Sequence, residues 1–246
     1  MKAFHAGGVA GGKGGVTGLD RLRQVLMVPE TLAGSATLSK TDGVVQSITK
    51  DPVGGWRVIV GDESHYVPHD RGEPTVAKGA AIRKGQVLSG GPTNPRELLG
   101  LTNIETVQNY ITTAMEDTYA GEGLKRRNFE VVAKAMTNLA MVDSSGDHPD
   151  YLRGDLVPLS VAASWNKENQ GKESVKLTPV LKGLNVIPFT GTEDWMARMN
   201  FQRLKETLQE GAMRGWRSSI HSTHPTAGLA YATEFGKPSK DKPWTY

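Results

Sequence analysis

The sequence of 246 residues contains no cysteine, which excludes disulfides and cysteine-held zinc sites. It has no apolar run near the roughly 18 residues that a membrane span requires and no apolar signal core at its N-terminus. A soluble, intracellular protein with no membrane partner is therefore expected. A strong charge of either sign is also absent. Lys+Arg number 29 against Asp+Glu 26, and a net charge of +3 permits nucleic-acid contact without arguing for it. Hydrophobic residues reach only 37% and aromatic residues 7%. The length allows one large or two small domains with a real core, and the low apolar content suggests that partner chains complete the burial. Glycine is plentiful, at 29 residues.

The glycines crowd the start, where residues 1–18 read as a loop segment. Residues 19–92 read as a short helix followed by a β-rich module. Leu19, Leu22, Val25 and Leu26 share a helical face that Pro29 ends. β-type runs at 43–48, 56–60 and 82–88 are separated by Asp-Gly, Gly-Gly and Lys-Gly turns, in the manner of a small barrel or sandwich. Residues 93–165 read as a helical region ending in an extended segment. Thr102 and Glu105 form a capping box for a helix carrying Ile104, Val107, Ile111, Ala114, Met115 and Thr118, which Gly121 closes. Asn128 caps a second helix bearing Phe129, Val132, Met136 and Leu139, and residues 151–165 read as extended or irregular. In 166–235 a charged loop at 166–176 precedes a helix over about 192–214, with Trp195, Met199, Leu204 and Leu208 as its apolar face. Residues 236–246 form a polar tail. The fold class expected is mixed α+β.

The chain opens Met-Lys-Ala-Phe-His-Ala-Gly-Gly. Lys2 and His5, three positions apart, lie on one face of a helical turn. Gly7, Gly8, Gly11 and Gly12 supply hinges, because glycine tolerates both open and closed backbone angles. A cation and a histidine on a hinged turn suit a mobile lid over a phosphate. Later segments add further patterns in a fixed order: VTGLDRLRQVL, IRKGQVLSGGPTNPRELLGL, VQNYITTAMEDTYAGEGLKRRNFEVVAKAM, DWMARMNFQRLKETLQEGAMRG and HPTAGLAY. Taken together, residues 1–235 resemble the C-terminal part of the β′ subunit of multisubunit RNA polymerases. The opening run is similar to that family's trigger loop, and the fourth pattern to its switch 1 helix. The matches rest on Thr17, Gly18, Leu19, Arg21 and Leu26; on Gly85, Val87, Leu88, Gly91, Pro95, Leu98 and Leu99; on Tyr110, Ile111, Tyr119, Gly123, Glu130, Val131 and Met136; and on Phe201, Gln202, Leu208, Glu210, Ala212 and Gly215.

The resemblance implies a subunit of DNA-directed RNA polymerase, a nucleotidyltransferase inactive alone, whose trigger loop closes over the incoming NTP. Met1 would pack on the base, and Lys2 would stand for the family arginine near the triphosphate. Phe4 would anchor the turn. His5 would reach the β-phosphate as general acid or as positional contact. The family's aspartate motif N-A-D-F-D-G-D is not in this sequence. Magnesium (Mg2+) would thus be ligated by a partner chain, with none bound here. Expected partners are an N-terminal β′ fragment carrying those aspartates, the β subunit or its fragments, DNA template, RNA and NTPs, and a phage specificity subunit. Gly8 passes almost directly to Thr17, without the large insertion of many bacterial enzymes. The short chain is accordingly most similar to the split β′ of giant bacteriophages. It would act inside the infected bacterium, in the cytoplasm or a phage nucleus-like compartment, or travel in the virion. Lys182, Arg198, Arg203 and Lys205 are candidate nucleic-acid contacts.

Other features have plainer readings. Gly7, Gly12 and Lys13 imitate a phosphate loop, but Gly14 replaces the required Ser/Thr and no strand precedes it. Lys125, Arg126 and Arg127 read first as a solvated face. His65, His69, His221 and His224 are too scattered for a metal site, and Trp56 and Trp195 read as core. A rival to the catalytic reading is an assembly subunit of the same complex with no part in catalysis.

Overall fold

The computed structural model describes residues 18–187 and 204–215. The expected trigger segment, Arg198, Arg203, Trp195, Met199, His221, His224 and the tail lie outside the described residues. The chain divides into two compact units, with the boundary between Val107 and Gln108.

The first unit begins with α1, Gly18–Met27, which buries Leu22 and Val25 but leaves Leu19 exposed. The helix ends at Val28, whose φ of 47° lies in the left-handed region that branched residues rarely enter. Burial of its side chain offsets that strain, and Pro29 blocks continuation. Three strands come next: β1 at Gly43–Lys50, β2 at Trp56–Val60 and β3 at Glu63–Val67. A short β4, Ala81–Ile82, completes an antiparallel sheet of order β3-β2-β1-β4. Its core gathers Val45, Val58, Val60, Val67, Ile82 and Leu88, and Trp56 packs half-buried against it. The run expected as a strand over 82–88 is extended only at its ends. Its middle turns at Gly85, and Val87 forms an isolated bridge to Leu38.

The β1–β2 turn is braced by Asp51. Its carboxylate accepts from the Val53 backbone N–H at 3.1 Å and from Arg57 Nη2 at 2.6 Å. The Val53 bond, and then Arg57, hold this carboxyl below the usual carboxylate range. A folded-state value below the unfolded one gives a contribution that is complete above the unfolded value and fades as pH falls through the folded one. Carboxyl titration by NMR is expected to place the Asp51 midpoint below those of exposed aspartates. Arg57→Leu is expected to raise it, and an unchanged midpoint in that variant would refute the assigned role of Arg57.

Several glycines of this unit sit where no side chain fits, Gly85 and Gly91 among them. Gly85, at φ +82°, would place a Cβ 2.4 Å from Thr102 Cγ2; Gly91, at φ +116°, would place one 2.4 Å from the Gly34 carbonyl oxygen. After Gly91 the chain enters α2, Pro95–Leu101. The Asn94 side chain accepts from Arg96 N at 3.0 Å, and Pro95 occupies the first turn.

Helix α3, Ile104–Thr118, spans the boundary between the units. Its cap corrects the expectation. Asn103, not Thr102, accepts from Thr106 N at 2.8 Å, whereas Thr102 turns back and donates its hydroxyl to Leu98 O at 2.6 Å. Each residue serves the helix to which its backbone already belongs.

In the second unit α4, Arg126–Thr137, starts two residues before the expected cap. Asn128 lies inside its first turn and reaches back to accept from Lys125 N at 3.3 Å. The helix buries Phe129, Val132 and Met136. Strands β5 (Leu139–Ser144), β6 (Leu156–Pro158) and β7 (Lys176–Val180) form an antiparallel sheet of order β6-β5-β7. Helix α5, Leu159–Glu168, replaces the second half of the stretch expected to be extended and runs into the expected loop. Its local sequence offers Pro158 but no side-chain cap. The cap comes from Asn138, whose Oδ1 accepts from Ser160 N at 3.0 Å across 22 positions. The loop expected at 166–176 shrinks accordingly, between the end of α5 and β7. A cluster of Val142, Val157, Ala162 and Val175 forms the core beside this sheet. Finally α6, Leu204–Arg214, buries Thr207 and Gly211. Leu204 and Leu208, expected on its apolar face, are exposed.

Candidate functional site

The site expected from the sequence is Met1, Lys2 and His5 with hinges at Gly7, Gly8, Gly11 and Gly12, and all of these lie outside the described residues. The helix immediately C-terminal to that segment is well defined. α1 is held on its inner side by Leu22 and Val25, at 2% and 1% exposure. On its outer side Arg21 Nη2 donates to Gly91 O at 3.2 Å. Residues 19–26 are thus packed on one face, through Leu22 and Val25.

The candidate nucleic-acid contacts inside the described residues are separate features. Lys182 is half-buried after β7, and its backbone N–H donates to Met136 O at 3.2 Å. Lys205 is exposed in the first turn of α6. Arg126 has a different role from the solvated residue expected. Its Nη1 meets Glu116 Oε2 at 2.8 Å, its Nε meets Glu130 Oε1 at 3.3 Å, and its Nη2 donates to Asn109 at 3.3 Å. Glu130 is 4% exposed, so Arg126 neutralises a buried carboxylate. Lys125 and Arg127 remain exposed.

Of the histidines, His65 is buried on β3 and accepts at Nε2 from Lys40 N at 2.9 Å, while His69 is exposed in a short 3₁₀ turn. Among the described residues no cluster of three or more His, Asp or Glu could hold a metal. A further histidine passed over in the sequence, His148, stacks on Tyr151 at 3.6 Å between ring centroids and tilts against Trp165 at 4.8 Å. Lys172 lies over the Trp165 ring at 5.9 Å. Burial, then the Asp150 charge, pushes the Tyr151 phenol up. Tyr151 and Trp165 pack against the Val142 cluster, so these rings join the β5–β6 loop to α5.

Some of the residues that carry the resemblance occupy positions that the fold constrains, whereas Leu19 and Leu208 are exposed. Gly85 and Gly91 are among the glycines without room for a side chain. Leu88, Ile111 and Met136 are fully buried, and Leu98 is 5% exposed. Tyr119 stacks on Phe129 at 6.0 Å, Gly123 has φ +72°, and Glu130 receives Arg126.

No family model matches the chain. Curated relatives do match it. Subunit beta′ of DNA-directed RNA polymerase from Acholeplasma laidlawii is 31% identical over 231 residues, covering 90% of this chain and 16% of that protein. The subunit of the same name from Bacillus licheniformis is 31% identical over 229 residues, covering 89% and 19%. That from Bacillus subtilis is 29% identical over 229 residues, with the same coverage. The chain thus spans about a sixth to a fifth of the length of these relatives.

Proposed function

We propose that this chain, a homologue of one segment of bacterial β′ subunits, is a subunit of a DNA-directed RNA polymerase and supplies the trigger loop that closes over the incoming NTP. The observation that carries this reading is the extent of the likeness: 31% identity along 90% of the chain, more than either unit alone could supply. Several motif residues, Leu88, Ile111 and Met136 among them, also lie where burial restricts them. Nucleotidyl transfer needs metal-held phosphates, an in-line nucleophile and a site closed to water. Here the metal would be magnesium, held by aspartates of a partner chain. The first turn of this chain would bring Met1 to the base, Lys2 to the triphosphate and His5 to the β-phosphate. Lysine keeps the charge but gives up the bidentate geometry of arginine, so Lys2 attracts the phosphates without fixing their orientation. Lys182, Arg198, Arg203 and Lys205 would face nucleic acid. In its finest form the reading is a phage-encoded, split β′, supported by the short passage from Gly8 to Thr17 and by the distance from the bacterial relatives.

The test is capture of the chain, tagged at Tyr246, from its native source, with mass spectrometry of the proteins that accompany it. Large chains bearing the triple-aspartate motif and β-type segments are expected. Recovery of the chain alone, as a monomer, would refute the polymerase role and leave only shared ancestry.

A further inference from the structure

Two arginines of this chain are buried to the same degree and are matched very differently. The side chains of Arg126 and Arg71 are each 18% exposed. Arg126 is answered from within the chain: Glu116, Glu130 and Asn109 all meet its guanidinium. Arg71 receives far less. Among the described residues its one ion-pair partner is Asp70, at 3.4 Å from Nη1, and that carboxylate is 67% exposed. The buried Nε of Arg71 has no hydrogen-bond partner among the described residues.

The residue is nonetheless held in place. Arg71 N donates to Pro68 O at 3.0 Å and closes the short turn His69–Arg71. A Cβ at Gly34 would lie 3.0 Å from Arg71 Nη1, and one at Gly90 would lie 2.8 Å from Arg71 O. The backbone at two glycines therefore walls the guanidinium on one side and the carbonyl on the other. A charge drawn out of water without a matched acceptor is costly. An arrangement that fixes such a charge in place calls for an acceptor from outside the chain.

We propose that Arg71 is a docking residue of the assembled polymerase: its guanidinium takes an Asp or Glu carboxylate of a partner chain. The inference rests on the subunit reading above. A carboxylate suits the place because its two coplanar oxygens match the donors of the guanidinium fork. It is also small enough for a side chain of which less than a fifth is open. Asp70 stands at Nη1, so the incoming group meets Nη2. A nucleic-acid backbone fits worse, since its row of phosphates would meet the exposed carboxylates of Asp70 and Glu73.

The experiment compares the full chain as wild type, Arg71→Met, Arg71→Glu and Arg71→Lys, alone and in assembly with the rest of the polymerase without nucleic acid. Arg71→Met keeps the apolar stem and removes the charge. Alone, it is expected to melt at or above the wild-type midpoint, because a poorly matched buried charge is gone. In assembly it is expected to bind about tenfold more weakly, and Arg71→Glu about tenfold more weakly again, since like charges then meet. Carbodiimide coupling of the assembled Arg71→Lys variant, read by mass spectrometry, is expected to join position 71 to an Asp or Glu of another chain. A lower midpoint in Arg71→Met alone would overturn the proposal, by showing that the chain itself satisfies Arg71. So would an unchanged assembly affinity, or coupling confined to this chain. A loss that appears only with template DNA present would assign the site to a phosphate and overturn the proposal as well. None of these results touches the subunit reading, which fails, and this inference with it, if the wild-type chain assembles with no other.

Discussion

Replacing His5 by alanine is expected to slow nucleotide addition by roughly 100-fold, the lower part of the range for a positioned general acid or base. Assembly with the partner chains should be untouched. The imidazole would meet the β-phosphate as the bond to the pyrophosphate leaving group breaks and charge accumulates there. A donor placed at that oxygen stabilises the transition state more than the bound NTP. His5→Gln separates two roles. Glutamine can donate a hydrogen bond but cannot release a proton near neutral pH. A Gln variant close to wild type means that position and electrostatics suffice; one as slow as Ala means that a proton moves. Pre-steady-state measurement of a single addition reads both outcomes. An unchanged rate in His5→Ala would support the rival in which the chain serves assembly alone.

The largest expected loss of stability is that of Phe129→Ala. Phe129 is 2% exposed on α4, and its ring stacks on Tyr119 with centroids 6.0 Å apart and planes 21° apart. Truncating a buried phenylalanine removes its transfer free energy and leaves a cavity, together about 3–5 kcal/mol. For a chain of this size that lowers the thermal midpoint by roughly 10 °C, as calorimetry would register. Tyr119→Ala removes only the half-buried partner and should cost less. Equal losses in the two variants would mean that the ring pair, and not burial of Phe129, carries the stability.

Elements whose signal is local were readable in the sequence. α1 forms where its apolar spacing placed a helix, with Leu22 and Val25 buried but Leu19 exposed, β2 falls on 56–60 as expected, and Gly121 adopts φ +89° just past α3. The misses share a physical origin. α5 was hidden because its cap, Asn138, lies 22 positions upstream. β5 was hidden because Leu139 continues the i, i+3 spacing of Phe129, Val132 and Met136, although the helix ends at Thr137. β7 was hidden by Pro179, which a strand tolerates at a sheet edge, and β7 is an edge. Thr102 and Asn103 are both capable caps, and only the backbone path between α2 and α3 decides which one serves the second helix. The candidate site was legible as motif alone. The part the sequence did not disclose is the tie between Arg21 and Gly91, because a contact across 70 positions leaves no periodicity to read.

The Asn138 bond also bears on the order in which the second unit is made. A helix capped by its own neighbour can start to form as soon as it leaves the ribosome. α5 gains its cap only once Asn138 has been brought to Ser160, beside the β5–β6 pairs Leu139–Pro158, Ala140–Val157 and Met141–Leu156. Contacts of that separation carry a loop-closure cost and slow the search for the native state. The end of α4, the β5–β6 pair and the start of α5 therefore support one another, and the cap of α5 is complete only when that pair has formed.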